Sequence, residues 1–240
     1  MCYNIKRAKS IQKGRCFIMT RKTSAIYKIL TAVALFTGIL LNLLKTSSAI
    51  SLLSYYTSQS NIICFIAFVC FFVMEIRDKD GKYKNSDVYY LVKGALIIMI
   101  FITTFCYHIA LAPFGFNMES LRRDLLIKKI ANFFLHTCSP VMVILDYFLF
   151  DKKGNFRFYY SFIWILFPLN YVGYVYFYAA HGGRFFGIGG SEKYAYFFLD
   201  YVELGVWGVA KWLAIILLGI LLVSYTLVVI DKKLGKKKKG

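Results

Sequence analysis

The chain has 240 residues, 59% of them hydrophobic and 19% aromatic, with a mean hydropathy of +0.58. Soluble domains are about 45–50% apolar, so this excess needs a bilayer to solvate it and excludes an ordinary soluble fold. The net charge of +18 comes from 30 Lys and Arg against 12 Asp and Glu. These cations gather between long uncharged runs, the pattern of a cytoplasmic membrane face rather than of a nucleic-acid-binding surface.

Residues 1–24 form a basic segment. The apolar run that follows is too long for a signal-peptide core, and five more runs succeed it. A bilayer core of about 30 Å needs roughly 20 helical residues. Six stretches qualify: Ala25–Leu44, Tyr55–Ile76, Gly94–Leu111, Ile130–Phe150, Phe158–Ala180 and Gly205–Ile230. In lipid the backbone must satisfy its own hydrogen bonds, and the alternation of a barrel is absent. The spacing predicts an all-α polytopic membrane protein, a bundle of six transmembrane helices over residues 25–230. Short linkers predict antiparallel neighbours, and no internal repeat of the inverted-transporter kind is visible. A lysine-rich tail, 231–240, follows.

Orientation is read from Lys and Arg between spans. The segment through Lys28 holds eight, the second connection five (Arg77, Lys79, Lys82, Lys84, Lys93), the fourth three (Lys152, Lys153, Arg157) and the tail six. The other three connections together hold seven against these 22, and Lys211 falls inside the last span. This bias predicts that both termini are cytoplasmic, in a plasma membrane of bacterial type, with the basic ends against anionic lipid head groups. Leu121–Ile130 reads as a basic amphipathic helix on the opposite leaflet.

Four of the six cysteines (Cys64, Cys70, Cys106, Cys138) lie inside apolar runs, where they read as small packing residues. With no C-x-x-C, H-x-x-x-H or H-E-x-x-H spacing, neither metal nor cofactor is predicted.

Polar residues inside spans are functional candidates by default. His108, His136 and His181 all fall on the side opposite the termini. His108 lies 15 residues after Lys93, and His136 lies 15 residues before Asp151. Each is therefore about 22 Å from the inner boundary, on neighbouring antiparallel helices. On the same side, the second span opens with the polar run Thr57–Asn61 within YYTSQSN. That run suits a helix N-cap, although a cap needs only one such residue. Pro140 removes the donor four residues after His136, and Pro168 does the same to Trp164, so both helices are expected to break there. A threonine hydroxyl becomes a nucleophile only beside a base, usually histidine. Thr57 and His136 are candidates for such a pair, although as straight helices they differ in depth, about 30 Å against 22 Å. Cys138, two residues from His136, points to another face.

Four segments carry a family resemblance: Tyr55–Asn61 (YYTSQSN), Tyr107–Pro113 (YHIALAP), Leu135–Phe150 (LHTCSPVMVILDYFLF) and Tyr194–Gly205 (YAYFFLDYVELG). In order and spacing they resemble the androgen-induced-gene-like and androgen-dependent TFPI-regulating-protein-like family of membrane proteins, especially its bacterial six-span branch. The resemblance implies a multi-pass threonine hydrolase acting on fatty-acyl esters, with Thr57 as nucleophile and His136 as its histidine. A lipid ester entering sideways from the leaflet would set its carbonyl against Thr57, with Ser58, Gln59, Asn61 and His108 as candidate substrate or oxyanion contacts. The alternatives are a small transporter, with the polar cluster as a vestibule, and a non-catalytic membrane scaffold. Membrane lipids are the expected partners.

Overall fold

The computed structural model describes residues 2–44, 46, 48–108, 123–186 and 192–236, with side chains for 21–44, 46, 48–108, 126–186 and 192–236. All regular structure among them is helical: α1 (Cys2–Leu43), α2 (Ala49–Leu53), α3 (Tyr56–Arg77), α4 (Asp87–Cys106), α5 (Arg123–Phe133), α6 (Ser139–Phe150), α7 (Tyr160–Ile163), α8 (Leu166–Ala180) and α9 (Tyr201–Lys236). A π turn, Phe134–Cys138, joins α5 to α6. Six helical segments are long and apolar enough to cross a bilayer: Arg21–Leu43, Tyr56–Arg77, Asp87–Cys106, Leu126–Phe150, Tyr160–Ala180 and Tyr201–Lys236.

Three boundaries differ from the sequence reading. The third span begins at Asp87 rather than Gly94, because Ser86 caps it by accepting from the Val88 N–H. From Arg123 the chain is helical and runs on into the fourth span, while residues 121 and 122 of the expected amphipathic stretch lie outside the described residues. The sixth helix starts at Tyr201, with Asp200 accepting from Val202 and Glu203. It turns at Gly205, whose φ of 65° only glycine adopts readily, so the straight part begins near the expected boundary.

Both proline expectations meet breaks. The fifth span is interrupted at Trp164–Ile165, four residues before Pro168. The freed segment turns the Trp164 indole onto α4, where its Nε1 donates to the Leu91 carbonyl at 2.8 Å. The ring lies where a side chain at Gly94 would stand: a Cβ there would come within 1.9 Å of it.

The shifted third span moves Lys93 from a connection into the bundle, and Lys28 is likewise inside α1. Both are fully buried, so two of the 22 cations counted for topology are internal. Asp146 of α6, also fully buried, accepts from Lys93 and from Lys28 at 3.1 Å. Lys28 also donates to Ser24, which donates to Glu75 of α3 at 3.0 Å. Lys84 and the Tyr83 hydroxyl close on the same Glu75 carboxylate at 2.8 and 2.5 Å. Burial, and then the bond to Glu75, push the Tyr83 phenol well above its ordinary range. Lys93 is 4.8 Å from the ring centroids of Phe68 and Phe71. The cluster ties α1, α3, α4 and α6 at one end of the bundle. At the same end, Asp231 of α9 accepts from the Tyr147 hydroxyl and from the N–H groups of Gly154 and Phe156.

Removing one member of a buried ion set leaves its partners charged and unpaired, at about 3–5 kcal/mol. Asp146→Ala is therefore expected to lower the thermal midpoint of the detergent-solubilised protein strongly. Disrupting the exposed Asp87–Arg157 pair with Arg157→Gln leaves that midpoint nearly unchanged.

Candidate functional site

The opposite end of the bundle holds a cavity of about 350 Å³. α3 contributes Tyr56 and Thr57 to its wall; α4 and the turn after it contribute Thr103 and Tyr107; the π turn contributes His136. α8 closes it with Pro168 and Tyr171, the Tyr196–Leu199 segment covers it, and α9 lines it with Leu213 to Ile220. Thr57 and His136, from different spans and with unequal depths expected from the sequence, thus face one space. The lining is mostly aromatic and aliphatic, as in small-molecule sites of this size.

The π turn explains how α6 meets α3. Within it Ser139 N–H bonds to the Phe134 carbonyl, five residues back, instead of to Leu135. The donor one position later would be Pro140, which has none. The Leu135 carbonyl, rather than that of His136, is the released group whose new partner is seen: the Asn61 side-chain amide donates to it at 3.3 Å. The same amide donates to the Thr57 carbonyl at 2.8 Å, and the Ser60 hydroxyl donates there at 3.0 Å. Asn61 therefore spans the backbones of the threonine and the histidine turns. Ser60 shares a 2.7 Å hydrogen bond with Thr103 of α4.

The polar run is not the cap of α3. Tyr55 is the N-cap and supplies no side-chain bond, so the first-turn N–H groups of α3 lack that partner. The Thr57 hydroxyl has no hydrogen-bond partner among the described residues. His136 is 7% exposed, with its ring stacked flat on Tyr107 at 3.9 Å between centroids. The main chain of Thr103 stands beside the ring, but Nδ1 closes no well-aligned hydrogen bond to any described residue. Burial holds the Tyr196 phenol above its ordinary range, helped by Cys106 and Tyr55, so this hydroxyl of the covering segment stays protonated.

The other candidates fall elsewhere. Ser58 and Asn61 are buried, Gln59 is half-buried, and none of them belongs to the cavity wall. Asn61 has both amide protons committed to carbonyls, which removes it as an oxyanion donor. His108 meets the fourth span as its matched depth suggests, but its Nε2 pairs with Thr137 at 3.0 Å, outside the cavity. His181 bonds back to the Phe177 carbonyl at 2.8 Å. Among the described residues no three His, Cys, Asp or Glu side chains come together as a metal site.

Tyr56, Tyr107 and the Tyr196–Leu199 cover fall inside the motif segments of the sequence, which assigned none of them a role in the site. The Lys28–Lys93–Asp146 cluster adds buried charge at the other end of the bundle, which the threonine and histidine candidates do not signal. Glu75 and Asp146 were the available signal, as carboxylates inside spans.

Six apolar helices around a buried cavity place the chain among multi-pass helical proteins suited to a membrane. Comparisons with protein-family models, curated proteins and solved structures give no match. The resemblance drawn from the four motifs stands on those motifs alone.

Asn61→Leu strands the Leu135 and Thr57 carbonyls and is expected to destabilise the protein by about 1–3 kcal/mol, read by denaturant titration in detergent. Gln59→Ala, from the same turn but with no such bond, changes stability by no more than about 0.5 kcal/mol.

Proposed function

We propose that the chain is an intramembrane threonine hydrolase acting on fatty-acyl esters, with Thr57 as nucleophile and His136 as general base. The single observation that carries this reading is the shared cavity. The Thr57 hydroxyl, which has no hydrogen-bond partner among the described residues, and the buried His136 ring both belong to one apolar wall. The motif resemblance supplies the ester chemistry, and the aromatic lining suits an acyl chain.

In the proposed reaction the Thr57 oxygen attacks the ester carbonyl while His136 takes its proton. The tetrahedral intermediate collapses, the alkoxide leaves with that proton as an alcohol, and the acyl group stays on Thr57. Water, deprotonated by His136, then releases the fatty acid and restores the threonine. Negative charge develops at the N-terminus of α3, where the helix dipole favours it. The stack on Tyr107 fixes the plane of the imidazole. The Asn61 bonds fix the two backbones that carry the pair.

The buried ion cluster is the one observation that favours transport instead. Its carboxylates and lysines are engaged with one another, which gives them a structural role and leaves hydrolysis the better reading.

Thr57→Ala and His136→Ala are each expected to abolish labelling by a fluorophosphonate probe at unchanged expression; labelling that persists in both removes the assignment. The proposed topology has both termini in the cytoplasm. Alkaline phosphatase fused after Gly240 is then inactive in bacteria, whereas a green fluorescent protein fusion at the same place is bright.

A further inference from the structure

The cavity has a polar end and an apolar end. Thr57 opens α3 two residues after Tyr55, and Tyr55 packs edge-on against Tyr196 of the cover at 6.4 Å between centroids. Phe197 of the cover packs against Trp212 of α9 at 5.4 Å. The next residue, Leu213, lines the cavity and packs on the buried cluster of Tyr56 and Tyr171. From this end the α9 wall runs through Ile216 and Leu217 to Ile220. Ile220 is 7% exposed and belongs to the other buried cluster, that of Phe68, Tyr147 and Trp164. One turn further, Ser224 and Leu227 of α9 are buried, as are Ile98 and Met99 of α4, and none of the four lines the cavity. Ile220 is therefore the floor.

The depth of this space fixes the length of chain it holds. Leu213 to Ile220 is seven residues, about 10 Å of helix. An extended chain advances about 3.5 Å over three bonds, so this depth takes about eight alkyl carbons. Volume gives a similar figure. If each methylene fills about 30 Å³, the share of one liquid water, the 350 Å³ cavity holds about twelve non-hydrogen atoms. An ester group and about nine further carbons meet that number. A palmitoyl chain exceeds both measures and would have to displace packed core side chains, which overpacking penalises.

We propose that the cavity admits medium-chain acyl groups, of about eight to ten carbons, and that Ile220 sets the limit. The ester is taken from the threonine hydrolase reading, on which this assignment rests. With the carbonyl beside Thr57 and His136, the terminal methyl group meets Ile220. The length limit itself belongs to the cavity and holds whether or not the ester is turned over.

The test reads binding and turnover separately. Binding is measured on full-length protein carrying Thr57→Ala in lipid nanodiscs, with methyl hexanoate through methyl stearate competing against tritiated methyl decanoate. The esters are compared at equal mole fraction in the lipid, because the bilayer solvates an added methylene as well as the cavity does. Methyl octanoate and methyl decanoate are expected to compete alike, and methyl palmitate about tenfold or more weakly. Ile220→Ala opens a space beneath the floor and extends the limit by about two carbons, so that methyl laurate competes as methyl decanoate does. Ile220→Phe shortens the limit, weakening methyl decanoate while methyl hexanoate competes as before. Opposite shifts separate a floor from a folding defect, and Ile220→Phe decides alone if the alanine variant does not assemble. Ile215→Ala, on the exposed face of α9, leaves the limit in place. Methyl palmitate competing as well as methyl decanoate overturns the proposal. A limit unmoved by the Ile220 variants, or no saturable binding of methyl decanoate, overturns it too. Failure of wild-type protein to hydrolyse methyl octanoate, with the binding limit intact, defeats only the hydrolase reading. Equal kcat/KM for methyl octanoate and methyl palmitate, with equal binding, defeats only the length limit.

Discussion

Asp146 is the group on which the bundle depends. A carboxylate with no exposed surface would be intolerable inside an apolar protein without compensation, and here two buried ammonium groups from α1 and α4 close on it. Each lysine is in turn committed further, Lys28 to Ser24 and Glu75, and Lys93 to Asp151 and the faces of Phe68 and Phe71. Such a set adds little net stability over a well-packed apolar core, since desolvation offsets most of the attraction. What it supplies is registry: helices that slide or rotate would leave charges unpaired, so α1, α3, α4 and α6 can associate in very few ways.

That fixed end makes a cavity at the other end tolerable. Apolar helices in lipid gain nothing from the hydrophobic effect when they meet one another, and they rely on packing and hydrogen bonds instead. With one end locked, the far end of the bundle stays open enough for α8, α9 and the Tyr196–Leu199 segment to enclose about 350 Å³. The aromatic residues there supply the enclosure. Tyr56, Tyr171 and Phe185 belong to one buried cluster, distinct from the one built around Phe68, Tyr147 and Trp164.

The two ends communicate through the fourth span. Asp146 anchors its α6 portion, and Pro140 forces the π turn that carries His136. π turns of this kind insert one residue and rotate the side chains that follow, and they are common at functional sites for that reason. The backbone group released by the turn is the one Asn61 takes up, so a single amide converts a helix defect into a fixed relation between the threonine turn and the histidine turn.

Six apolar runs, the break at Pro168, the irregularity before Pro140 and the presence of Thr57 and His136 on one side of the bundle follow from the sequence alone. Each depends on local chemistry: span length against bilayer thickness, and a proline that cannot donate. Rise per residue also gave the depths of Thr57 and His136, but treating both helices as straight rods put them at different levels. Which residues share the cavity was decided only in three dimensions, because the rotation and tilt of each helix are set by side chains from distant segments. Lys93 shows the reason plainly. As a string of letters it reads as one more cation beside a loop, and only the arrival of Asp146, 53 residues away, makes its burial tolerable.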